Sequence, residues 1–175
     1  MTTKDVVRAF VTLTIVCVVL ALVLSGVNAM TVDTIEQKQI QIADESRREL
    51  LPQADTFEVT TDGLPEGVVE VARAQNGAGY VIQTTAKGYG GDIVMMTAFD
   101  QEGKIVACKV LSSSETPGLG KRVEEDAFLS QFKGYDAPVE VGKEITKVTS
   151  ASISSRAATS CVNLAIEAYA AVKEG

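Results

Sequence analysis

No charged residue stands between Arg8 and Asp33. Within that stretch Phe10 to Leu24 is apolar apart from Thr12 and Thr14, and continued to Val27 it approaches the ~20 residues an α-helix needs to span a bilayer. In lipid a lone segment must satisfy its backbone polar groups internally, so a run of this kind has the helix as its one stable conformation. The chain therefore divides into an expected membrane anchor within residues 1–29 and a remainder outside the bilayer. Lys4 and Arg8 precede the run while Asp33 and Glu36 follow it, and the cytoplasmic bias of cationic flanks places the N-terminus inside. The main domain is then extracytoplasmic. A cleaved signal peptide competes with the anchor, because Val27-Asn28-Ala29 fits a small-residue cleavage pattern.

Residues 30–52 mix Val32, Ile35, Ile42 and Leu50 with many charges and run into Pro52. They read as a polar helical stalk. Residues 53–175 are enough for one domain with its own core. Strand signals fall at 56–60, 68–74, 80–85, 93–99 and 105–111, with Asp62-Gly63, Asn76-Gly77 and Glu102-Gly103 as turn markers. Successive hairpin-like connections imply an antiparallel sheet. Residues 124–132 suggest a short helix whose Phe128, Leu129 and Phe132 cover one face, and a long final helix from about Ser155 covers more of it. The fold class expected is α+β. On that last helix Ala158, Cys161, Val162, Ala165, Ala168, Tyr169 and Val172 recur at spacings of three and four, leaving Asn163, Glu167 and Lys173 on the polar face. Met95 and Met96 alternate across their strand, so one is assigned to the core and the other has no role.

Just ahead of the final helix stands Thr149-Ser150-Ala151-Ser152-Ile153-Ser154-Ser155, with five hydroxyls in seven residues. A helix N-terminus leaves N–H groups unpaired and favours negative charge, so the cluster is either a Ser/Thr cap or a phosphate site. Two glycine-rich loops accompany it. Glu115-Thr116-Pro117-Gly118-Leu119-Gly120 follows a strand, and its Pro-Gly pair suits a type II turn. Gly88-Tyr89-Gly90-Gly91 lies between two strand signals.

In this order the three motifs resemble the FMN-binding G subunits of Rnf electron-transport complexes and the related C subunits of sodium-pumping NADH:quinone oxidoreductases. GYGG at 88–91 and ETPGLG at 115–120 are intact, and the second is the more specific. The family's flavin-transferase pattern is Asp, any residue, Ser or Thr, Gly, Ala, Ser or Thr. It falls on Lys147, Val148, Thr149, Ser150, Ala151 and Ser152, with Lys147 replacing Asp and Ser150 replacing Gly. The resemblance implies that Ser152 carries FMN through a phosphoester bond, beside Thr149, Ser150, Ala151, Ser154 and Ser155. It implies that Glu115, Thr116, Pro117, Gly118, Leu119, Gly120, Gly88, Tyr89, Gly90 and Gly91 hold the rest of the cofactor. Electron relay follows, in a membrane complex coupling ferredoxin and NAD to Na+ or H+ movement. The expected partners are other membrane subunits of the complex and flavin transferase during maturation, and no substrate chemistry is expected of the chain alone. The short chain suits the Rnf complex better than the quinone reductase. A noncovalent FMN-binding or sensing module and a purely structural subunit are the alternatives.

Around these motifs Glu115 is expected either to orient the glycine turn through backbone N–H groups or to face water. Lys121 and Arg122 fit the flavin's pyrimidine edge or a solvated basic pair, Tyr89 the ring's flank or the core, and Lys147 the surface or the phosphate. Composition excludes several other functions. The chain has no histidine, so it holds no Ser-His-Asp triad, no Cys-His pair and no histidine-based zinc, haem or Rieske site. Three cysteines, one of them in the apolar run, fall short of the four thiolates of an iron–sulfur cluster. Cys108 and Cys161 suit either a disulfide or two buried thiols packing as small hydrophobes. A net charge of −7 disfavours nucleic acid as a partner. The GLGKR segment at 118–122 lacks the flanking residues of a phosphate-binding P-loop.

Overall fold

The computed structural model describes residues 3–174; the side chains at 3, 5–7, 9, 27, 29–37 and 174 lie outside that description, among them Val32 and Ile35 of the expected stalk and Val27 and Ala29 of the expected cleavage site. The chain falls into two compact units, residues 1–42 and residues 43–175.

Residues 3–42 of the first unit lie within α1 (Thr3–Leu50). From Phe10 to Gly26 its side chains are exposed all round. Thr12 and Thr14 donate their hydroxyls to the carbonyls of Arg8 and Phe10, each at 2.9 Å, so neither needs an outside partner. Among the described residues no helix is long and apolar enough to cross a membrane.

The second unit begins with the last turns of α1, which end against Pro52 because proline has no N–H to continue the helix. Five strands follow: β1 (Phe57–Thr60), β2 (Val68–Ala74), β3 (Tyr80–Lys87), β4 (Asp92–Phe99) and β5 (Ile105–Ser113). They pair antiparallel in sequence order, so each connection is a hairpin. The expected 124–132 helix is instead a 3-10 turn at Gly120–Glu124, α2 (Asp126–Leu129) and a second 3-10 turn at Ser130–Phe132. Glu125 breaks it by adopting extended backbone (ψ 143°) between the first two. The buried Phe128 and Phe132 still cover the sheet, meeting edge to face at 5.4 Å.

The last helix, α3 (Ser152–Glu174), starts three residues earlier than the apolar spacing suggested, because the Ala151 carbonyl already accepts the Ser155 N–H at 2.9 Å. Its buried face packs on one side of the sheet. Tyr169 stacks on Phe99 at 5.1 Å, and the Thr84 hydroxyl donates to the Cys161 carbonyl at 2.9 Å. Two predicted details differ. Asn163 is not a solvent-facing residue: its amide brackets Val139, accepting from the N–H at 3.0 Å and donating to the carbonyl at 2.9 Å. Val172 is exposed at the helix end. Both methionines are core residues, because both faces of the sheet are covered. Met95 lies under α3, and Met96 lies with Ala72, Val81 and Ala98 under Ala43, Leu50 and Leu51.

Cys108 and Cys161 are free thiols, and burial pushes both up to about 12 from an ordinary 9.0. The folded chain thus holds these protons more tightly than the unfolded chain. Their stabilising contribution is whole below about pH 9 and is lost as pH climbs toward 12. Because the thiolate is the reactive form, native protein at pH 8 should leave the buried Cys161 unalkylated by iodoacetamide and label the half-buried Cys108 only slowly, as read by peptide mass spectrometry. Protein in urea should take up label at both, and rapid native labelling at Cys161 would contradict its burial.

Candidate functional site

Three segments far apart in sequence meet at one end of the sheet, and the strand register brings them there. Lys87 pairs with Asp92, so residues 88–91 form the β3–β4 turn, closed by the Gly88 N–H donating to the Gly91 carbonyl at 2.8 Å. Ser113 of β5 pairs with Ile93 of β4, which delivers the next residues, Ser114 and Glu115, to that same turn. The chain then reverses through Thr116-Pro117-Gly118-Leu119, with the Leu119 N–H on the Thr116 carbonyl at 3.2 Å and Gly118 at φ +75°. This is the type II turn its Pro-Gly pair favours.

Glu115 joins all three segments. It is 3% exposed. One carboxylate oxygen accepts the Tyr89 N–H at 2.7 Å and, at 3.4 Å, that of Gly90; the other accepts the Ser154 hydroxyl at 2.8 Å. Gly120 lies so close that a methyl there would come within 2.9 Å of Glu115 Cβ and 3.0 Å of Ser154 Oγ, so only glycine fits.

Above this buried junction opens a cleft of about 440 Å³, within the ~300–1,000 Å³ usual for small-molecule sites. Tyr89, Leu119 and Ile153 supply apolar wall, while Thr116, Ser150, Ser152, Ser154 and Glu115 supply polar atoms; Gly120 and Ala151 complete it. Tyr89 is 74% exposed, so its ring belongs to the cleft and not to the core. Ser152 is the first residue of α3 and half-buried. The residue before it is Ala151, which has no capping oxygen. Among the described residues no acceptor meets the N–H groups of Ser152, Ile153 and Ser154, the first helical bond being that of Ser155. The N-cap interpretation of the hydroxyl cluster is therefore not what the geometry shows. Three unpaired N–H groups at the positive end of a 23-residue helix, next to a free hydroxyl, form a cradle for an anion.

Of the remaining motif residues, Gly88, Gly90 and Gly91 shape the β3–β4 turn, and Pro117 and Gly118 form the exposed reverse turn outside the cleft lining. Thr149 is exposed. Ser155 is buried beneath the cleft with its hydroxyl committed, accepting from the Val148 N–H at 3.0 Å and donating to the Ala151 carbonyl at 2.9 Å. Lys121, Arg122 and Lys147 are exposed and do not line the cleft; Arg122 lies 3.7 Å from Glu125. Ile153 was passed over in the sequence, although an isoleucine left 45% exposed inside a serine cluster signals an apolar contact.

Ser150, which replaces the family's glycine, is the one described non-glycine residue with positive φ, at 65°. The backbone keeps the glycine conformation, which costs an L-residue about 1–2 kcal/mol. Ser150→Gly should therefore raise stability by about 1 kcal/mol, measured as a higher urea midpoint at unchanged slope. A lower midpoint would mean that the serine hydroxyl holds the turn.

An anion cradle, an apolar-walled slot and a buried carboxylate brace are chemically suited to a flavin mononucleotide, which needs donors for a phosphate and an apolar wall for a ring. Comparisons with known proteins point to the same cofactor. Residues 88–167 match the FMN-binding domain family. The chain is 33% identical over 165 residues to the G subunit of the proton-translocating ferredoxin:NAD(+) oxidoreductase complex of Clostridium ljungdahlii, covering 89% of this chain and 86% of that one. It is 30% identical over 192 residues to the G subunit of the Na(+)-translocating complex of Acetobacterium woodii, covering 95% and 92%. With the G subunit of the ion-translocating oxidoreductase complex of Methanosarcina acetivorans it shares 28% over 187 residues, 98% of each chain. On the strength of this full-length similarity and of the motif residues gathered around one cleft, the chain belongs to the family of G subunits of Rnf-type ion-translocating oxidoreductase complexes, flavoproteins that carry an FMN-binding domain.

Proposed function

We propose that this chain relays electrons through an FMN joined to Ser152 by a phosphoester bond, as one subunit of a membrane complex that couples ferredoxin and NAD to Na+ or H+ movement. The observation that carries the proposal is the placement of Ser152: a half-buried hydroxyl on the first residue of α3, beside three unpaired N–H groups and inside the cleft. Bound FMN supplies the electron chemistry. The protein's residues do the rest. The α3 N–H groups hold the phosphate, Tyr89, Leu119 and Ile153 flank the ring, and Thr149 and Ser150 stay at the rim. Glu115 with the two glycine loops fixes the floor. In maturation a flavin transferase would join Ser152 Oγ to the FMN phosphorus of a flavin adenine dinucleotide donor, the Oγ–H and phosphoanhydride bonds breaking and AMP leaving with the proton.

The charge-free run between Arg8 and Asp33 supports retention as a single-pass anchor, with the FMN domain extracytoplasmic and linked through residues 30–52. The exposed apolar side chains from Phe10 to Leu24 agree with a lipid setting. Such a tether keeps the flavin at high effective concentration beside its partner subunits.

Producing the full chain together with flavin transferase and running it on a denaturing gel tests the attachment. A band that fluoresces under flavin excitation is expected. A dark band from yellow native protein would shift the function to reversible FMN binding, and colourless native protein would overturn the flavin role.

A further inference from the structure

Glu115 is a charged group held where a brace alone would not need charge. Its three bonding partners are two backbone N–H groups and one hydroxyl, with no cation among them. Of the cationic side chains nearest in sequence, Lys121 and Arg122 are exposed, and none lines the cleft. Glu115 does line the cleft. Neutral donors satisfy its hydrogen-bonding capacity without cancelling its charge, and with little water around it the charge is weakly screened.

We propose that Glu115 is a tuning charge as well as a brace: its carboxylate opposes the build-up of negative charge on the flavin and so holds the reduction potential low. This rests on FMN occupying the cleft. Two-electron reduction by an external reductant adds two electrons and one or two protons to the flavin, and with one proton the ring gains net negative charge. That form meets the fixed carboxylate, so the equilibrium shifts toward the oxidised cofactor. A low potential suits a relay that receives electrons from a strongly reducing donor and passes them on.

Glu115→Gln separates tuning from bracing. The amide oxygen can still accept the Tyr89 and Gly90 N–H groups, and the amide NH2 can donate to Ser154 Oγ, so the junction keeps its shape while losing its charge. Full-length, FMN-loaded wild-type and variant proteins would be titrated with dithionite at pH 8 and followed by flavin absorbance, with melting temperatures measured alongside. Glu115→Gln should melt within a few degrees of wild type and favour reduction at least tenfold, about 30 mV for a two-electron couple. Glu115→Ala should instead lower the melting temperature sharply, having lost the brace. An unchanged or lower potential in a well-folded, flavin-loaded Glu115→Gln protein overturns the tuning role and leaves the FMN site standing. Wild-type protein that takes up no flavin overturns both.

Discussion

Ser152→Ala should abolish the fluorescent band on a denaturing gel while leaving the protein folded. Among the described residues the Ser152 hydroxyl makes no hydrogen bond, and it is not a stranded buried oxygen either. Deleting one half-buried oxygen without partners falls within the ~0.5 kcal/mol of ordinary surface changes. The neighbouring hydroxyls behave differently. Ser154 donates to Glu115, and Ser155 bonds both Val148 and Ala151. Alanine at Ser155 would strand the Val148 N–H, at about 1–3 kcal/mol for a buried polar group left unpaired. A stable, non-fluorescent Ser152→Ala protein beside a destabilised but still fluorescent Ser155→Ala protein would separate the attachment point from its support. Fluorescence persisting in Ser152→Ala would move the bond to Thr149 or Ser150, the exposed hydroxyls just ahead of the same helix in sequence.

The distinction between these serines was not legible in the sequence. Seven consecutive residues with five hydroxyls announce a helix start, and the helix was found there, but which hydroxyls point inward depends on where its first turn closes. That is set by the Ala151 carbonyl, four residues before the expected start at Ser155. The strands were legible because period-two apolar runs and Asx-Gly turns are local signals. From Val68 to Ala74 expectation and structure coincide; β3 and β5 each run two residues further, to Lys87 and Ser113. Those extra residues carry the two glycine loops to the same edge. Glu115 was legible only as a choice between orienting a turn and facing water. Its burial requires the Tyr89 N–H, the Ser154 hydroxyl and the bare Gly120 to arrive from three separate places. That both Met95 and Met96 are core and that Asn163 is not solvent-facing escapes the sequence for a related reason. A sequence shows that a strand has two faces and a helix a polar side, but not that α1 will cover the second face or that Val139 will lie beside α3.

The same long-range packing buries Arg47 where the last turns of α1 meet the sheet. The sequence places it in a charge-rich stalk, where an arginine belongs in water, yet it is 5% exposed. Its Nε and Nη2 donate to Glu70 Oε1 at 3.1 and 2.6 Å, and Nη1 donates to Asp44. Glu70 sits on β2 with its own side chain nearly covered. Desolvating both charges is costly, so the pair's net contribution is small; what is large is the cost of leaving one alone. Arg47→Ala should destabilise the domain by about 3–5 kcal/mol, a large part of the ~5–15 kcal/mol that holds a typical protein folded. Urea unfolding followed by circular dichroism would show this as a much lower midpoint at similar slope. The double change Arg47→Met with Glu70→Leu removes both charges and keeps apolar volume, and should recover most of the loss. An Arg47→Ala protein within about 1 kcal/mol of wild type would mean that Glu70 reaches water without its partner. The last turns of α1 would then rest on the sheet through Ala43, Leu50 and the ion pair of Glu49 with Lys109 on β5.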